Sequence, residues 1–251
     1  MTSPATAAQT YWRASRAPRY ALLFAVPLFI FYQLLVAIEP VGPQGSWRNG
    51  ADVILQSLFV ALAGSRGPLL FLITLNVAGA WLIVRDWRRH PGAIRPRYFA
   101  FMLVESALLA FVAGFTIGSV TTQLVTPPQM AIGFPDGAPL STRLMLAIGA
   151  GLYEELLFRV LMVGAIAWIC ARGFGWKPSV AATVAVILGA FLFSAFHYVG
   201  AGGDELQLYS FVFRFVGGLF FSALYVVRGF GITAWTHALY DILVMVIIPA
   251  R

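Results

Sequence analysis

Tyr153-Glu154-Glu155-Leu156-Leu157-Phe158-Arg159 places two acids and an arginine inside a long apolar run. One charge near the centre of a bilayer-spanning helix costs about 2.5–3.5 kcal/mol on insertion scales, and three without partners would cost about 7–10 kcal/mol. A helix carrying that load must face a polar interior, with its charges paired or in use. Glu155 and Arg159 are four apart, so they share one helical face, with the acid N-terminal to the base. Glu154 points about 100° away from them. The spacing therefore predicts a helix on which Arg159 neutralises Glu155 and Glu154 is left free to react. The plainer alternative is a single structural ion-pair knot between helices.

The composition sets the class. Of 251 residues, 60% are hydrophobic and only 11% charged, against about a quarter charged in soluble domains. The expected fold is all-α, a multipass transmembrane helix bundle. The net charge of +7 does not point to a nucleic-acid partner, because the basic residues sit in short loops beside apolar runs and act as topology determinants. The single cysteine, Cys170, excludes an internal disulfide framework and a cysteine-ligated metal cluster. Arg13, Arg16 and Arg19 precede an apolar stretch that ends in Glu39-Pro40 rather than a small-residue cleavage site. That pattern predicts a first transmembrane helix and no cleaved signal peptide.

A span needs about 20 apolar residues. That rule gives Tyr20–Ile38, Gly67–Val84, Tyr98–Val125, Arg143–Ala171, Ser179–Val199, Leu206–Val227 and Gly231–Pro249, about seven spans. Val53–Ala63 is apolar but too short, and is expected to be an interfacial or half-buried helix. With seven spans every basic loop falls on the side of the N-terminus, which predicts a cytoplasmic N-terminus and a plasma (inner) membrane location. The proline-rich loop 126–141 separates a three-span part, 1–125, from a four-span part, 142–251, that holds all the promising polar groups.

His90 lies in a basic loop, whereas His197 and His237 fall in late spans. His237 and Asp241 are four apart, so the carboxylate is placed to accept the ring N–H and orient the imidazole. Intramembrane ionisable groups are functional candidates by default. Glu105 and Arg214 carry a plainer expectation, that each pairs or snorkels. Phe211, Phe213, Phe215, Phe220 and Phe221 are expected to be packing or lipid-facing surface.

A Glu without a cationic partner in a low-dielectric cavity suits a general base acting on water, and two imidazoles can orient that water or donate to an oxyanion. The chemistry that fits is hydrolysis of a carbonyl compound, most simply a peptide bond. The same Glu, two His and Asp could also ligate a hydrolytic zinc ion, although the His-Glu-x-x-His pair of helix-borne zinc peptidases is missing. A transporter or scaffold built on a Glu/His relay is the alternative of a different class.

The order Glu-Glu-x-x-x-Arg, Phe-x-x-x-His, His-x-x-x-Asp on successive late spans resembles the CAAX-prenyl-protease and bacteriocin-processing family, also called ABI or CPBP. The resemblance covers the last part of the chain, 142–251. It implies a glutamic-type intramembrane endopeptidase that needs no metal and acts on a membrane-anchored protein or peptide within the lipid bilayer. It further implies that Glu154 activates the water, that His197 and His237 position it and stabilise the oxyanion, and that Glu155 and Arg159 support the first motif. Asp241 stands where prenyl-protein processors often carry Asn, which leaves open whether substrates are prenylated. Along straight helices His197 should lie near the outer face and His237 nearer the cytoplasmic one. The groups meet only if a helix is tilted, broken or starts deep, and Gly229 and Gly231 mark the start of the last span as the place for it.

Overall fold

A computed structural model describes residues 7–39, 47–126, 138–200 and 203–247. The proline-rich stretch 127–137 and the expected end of the last span at Pro249 lie outside the described residues. Among those described, the regular structure is helical throughout. In order these are α1 (Ala7–Ser15), α2 (Pro18–Ile38), α3 (Gly50–Ala63), α4 (Gly67–Arg89), α5 (Pro96–Leu124), α6 (Leu140–Gly173), α7 (Pro178–Phe196), α8 (Leu208–Arg228) and α9 (Phe230–Ile242). Prolines open α2, α5 and α7 and stand in the first turn of α4, where the missing N–H has no partner to lose. A wider helical turn with i→i+5 bonding, Leu243–Ile247, continues α9. The central part of α6, Ala150–Val163, is likewise wound as a π-helix, a rare form that is frequent at functional sites.

Among the described residues six helical stretches are long and apolar enough to cross a membrane, and the chain is an integral membrane protein. They are α2, the α3–α4 unit, and α5 to α8. The seventh expected span is the shorter apolar stretch Phe230–Val246. Val53–Ala63, expected to lie at the interface, belongs to α3, which doubles back along α4 through a tight turn at Gly64–Arg66. Gly64 takes φ 57° there, in the left-handed region that favours glycine. Phe59 and Phe71 then meet edge to face, 5.5 Å apart.

The short α9 is the hub of the bundle. It contributes to all three apolar clusters among the described residues, packing against α2, α5, α6 and α8. Small residues make that possible. A Cβ on Gly231 would lie 2.7 Å from the Ala21 carbonyl oxygen, and one on Gly151 would lie 2.3 Å from that of Ala234. The backbones of α2, α9 and α6 therefore approach more closely than any side chain would allow.

The depth conflict raised by the sequence is resolved below α9. Arg228, the last residue of α8, pairs with Glu105 through Nε at 2.5 Å and Nη2 at 2.8 Å. Glu105 lies nine residues beyond Pro96, about 13 Å along α5. The α8–α9 turn, with Gly229 at φ 78°, is thus seated deep in the bundle. The N-terminal helix α1 closes it from beneath. Tyr11 donates to Glu105 at 2.6 Å, Ser15 accepts from Arg228 at 3.0 Å, and the Arg228 guanidinium lies 4.0 Å over Trp12. Burial and the neighbouring Glu105 carboxylate hold the Tyr11 hydroxyl well above the usual phenol range. His197 and Glu154 each lie 19 residues from the end of their helix on that side, about 28 Å along the α-helical α7 for His197. His237, starting from the raised turn, comes to within about one helical turn of the same level.

Candidate active site

The Glu-Glu-x-x-x-Arg stretch sits on the π-wound part of α6, and the fold gives its two acids different surroundings. Glu155 is fully buried. Its Oε2 lies 3.3 Å from Arg159 Nε and its Oε1 accepts a 2.7 Å hydrogen bond from His237 Nδ1. Arg159, 1% exposed, is also met by ring faces, its guanidinium 4.5 Å from the centroid of Phe193 and 5.8 Å from that of Phe221. Glu154 has no such cation in contact. It remains partly accessible, and its Oε1 accepts a 2.9 Å hydrogen bond from the amide of Asn49. Arg159 lies against Glu155 as the spacing predicts, whereas Glu154, expected to be free, is bound by the Asn49 amide.

Both imidazoles are oriented through Nδ1. His197 directly follows α7 and gives Nδ1–H to the Phe193 carbonyl at 2.9 Å. A carbonyl or a carboxylate can only accept, so the hydrogen sits on Nδ1 in both rings and each offers Nε2 elsewhere. Aromatic rings fix the planes: Phe221 stacks on His237 at 4.2 Å and 19°, and Phe193 meets His197 edge-on at 5.0 Å. Both imidazoles lie near enough to the Glu154 carboxylate to be felt electrostatically. Glu154, His197 and His237, from three helices, thus gather in one locale.

Asp241 is the exception. The hydrogen bond from His237 that its spacing predicts goes to Glu155, and Asp241 Oδ2 stays 3.7 Å from Nε2, an ion-pair distance beyond hydrogen-bond reach. The sequence missed Glu155 in this role because the contact joins two helices, whereas spacing registers only pairs on one. The remaining polar expectations hold with named partners: Glu105 pairs with Arg228, and Arg214 pairs with Asp204. Phe221 is buried packing surface, against an imidazole. Among the described residues no three His, Cys, Asp or Glu side chains stand together as metal ligands.

Comparison with known proteins bears on the same part of the chain. Residues 136–243 match a family model described as type II CAAX prenyl endopeptidase Rce1-like. This region is Rce1-like. The Rce1-like region takes in Glu154, Glu155, Arg159, His197, His237 and Asp241, and it excludes Asn49. No curated protein and no solved structure matches the chain.

Proposed function

We propose that the chain is an intramembrane endopeptidase that hydrolyses a peptide bond of a membrane-anchored protein or peptide with a glutamate-activated water. The observation that carries this reading is the gathering of Glu154, His197 and His237 from three helices, with Glu154 bound by a neutral amide while its neighbour takes the arginine. The Rce1-like match supports the same class of reaction. In the proposed step Glu154 removes a proton from water as the water oxygen bonds to the carbonyl carbon. With Nδ1–H committed, a neutral ring accepts the water's O–H at Nε2, and the ring that donates to the developing oxyanion does so as an imidazolium, through Nε2–H. Collapse of the tetrahedral intermediate breaks the C–N bond, and Glu154 returns the proton to the leaving nitrogen. No step requires a metal. Arg159 and Glu155 support the site by holding His237. The basic residues at the end of α4, at the start of α5 and before α2 support a cytoplasmic N-terminus.

The test is cleavage of a prenylated and an unprenylated membrane peptide by purified wild type, Glu154→Ala and His237→Ala, each with and without chelator. The expected outcome is turnover by wild type that chelator does not touch, with losses of about 10²–10⁴-fold in both variants. Turnover that chelator abolishes and zinc restores would point instead to a metal centre. Wild-type rates in Glu154→Ala would remove the base assignment.

A further inference from the structure

The half of the chain that lies outside the Rce1-like region nevertheless supplies a side chain to Glu154. We propose that Asn49 is a positioning residue for the hydrolysis: its amide holds one oxygen of Glu154 so that the other faces the water. The inference rests on the assignment of Glu154 as the base.

The plainer reading of Asn49 is that it is only the N-cap of α3, where Oδ1 accepts the Ala51 N–H at 2.9 Å. A cap, however, needs only that oxygen, and Ser, Thr or Asp would serve as well. Asparagine brings an amide nitrogen that the cap does not use. With Oδ1 committed to Ala51, the amide can face only one way, and Nδ2 then falls 2.9 Å from Glu154 Oε1.

The residue is also clamped. The Asn49 backbone N–H donates to the Tyr32 hydroxyl at 3.2 Å, and Tyr32 donates in turn to Asp52 at 2.8 Å. Gln56 and Arg48 hold the Asp52 carboxylate at 2.6 and 2.9 Å. The amide, at the N-cap of α3, therefore rests on a hydrogen-bonded network that ties α2 to α3.

The helix that carries Glu154 is shaped to admit it. A Cβ on Gly149 would stand 2.7 Å from the Asn49 Cβ and 2.6 Å from Tyr32 Cε2, so only glycine lets the α3 N-terminus come this close to α6. A neutral donor suits the task. It orients a carboxylate without the charge attraction that Arg159 exerts on Glu155, and so leaves the group able to take a proton.

Asn49→Asp and Asn49→Ser both keep a capping oxygen and lose the amide donor: Asp keeps the shape but sets a like charge beside Glu154, whereas the Ser hydroxyl is too short to reach it and adds no charge. Each is measured in the full chain, in bilayer discs, with the same membrane peptide. The expected result is a fall in kcat of about 10–100-fold with KM within about twofold, and an unfolding temperature close to wild type. Gly149→Ala, which displaces Asn49 without touching a polar group, is expected to lower kcat in the same way. Should Asn49→Asp unfold early, Asn49→Ser decides. Wild-type kcat in both cap-competent variants, while Glu154→Ala is inactive, overturns the role of Asn49 and leaves the base assignment standing. An active Glu154→Ala removes the base assignment itself, and this inference with it.

Discussion

Glu154 and Glu155 are chemically identical neighbours whose partners make them different groups. Glu155 serves two cations or potential cations at once, Arg159 and His237. Replacing it with glutamine keeps an oxygen for His237 Nδ1–H but removes the charge that balances Arg159. Glu155→Ala removes both, and is expected to lower turnover by about 10–100-fold, as loss of an orienting partner does. It also leaves Arg159 as an uncompensated buried charge, at a cost of about 3–5 kcal/mol in unfolding free energy. Asp241→Asn, whose side chain does not hydrogen-bond the ring, is expected to cost less activity than Glu155→Ala. Equal damage from the two would return the orienting role to Asp241. Kinetics with the membrane peptide and thermal unfolding in detergent read these outcomes. The pairing of Glu155 with Arg159 was legible because both residues ride one helix at a fixed spacing. The His237–Glu155 bond was not, because the partners are 82 residues apart and meet only through packing.

At the level of single helices, α9 departs most from what its sequence suggests. Its apolar length resembles another span, yet nearly every residue from Gly231 to Asp241 is buried against protein, and its small side chains admit four neighbours. What raises it is the pair Arg228–Glu105, seated on α1. Arg228→Met removes the guanidinium that Glu105, Ser15 and Trp12 share. Glu105 keeps a quarter of its side chain accessible, so the expected loss sits at the low end for a broken buried pair, about 3 kcal/mol. Activity should fall with it, since His237 rides on α9, and Glu105→Gln, which still accepts from Tyr11, should be milder. Hydropathy gave no sign of this depth, because a helix seated on protein and one reaching the bilayer surface have the same composition. The two glycines at the start of α9 were the only legible trace.

For the molecule as a whole, the motifs confine the recognisable site to 142–251, while the packing does not respect that boundary. The largest apolar cluster draws residues from α2, α3, α4, α6 and α9 together, and α9 lies against α5. A chain limited to 142–251 is expected to lack activity and resist purification as a folded species, and co-expression with 1–125 is expected to restore turnover. Full activity from the shorter chain would show that the N-terminal helices are dispensable. Nothing in the sequence of those helices announced this dependence, since interdigitating apolar faces leave no motif. A further consequence follows from Arg159, whose guanidinium bridges Phe193 and Phe221, the rings that abut His197 and His237. The two imidazoles are thereby joined by a chain of ring and guanidinium contacts, one stacked and one edge-on, and that chain sets the gap between them. Lipids of different acyl length tilt helices, but such a spacer does not stretch with them, so the distance between the two rings should stay constant from a thin bilayer to a thick one.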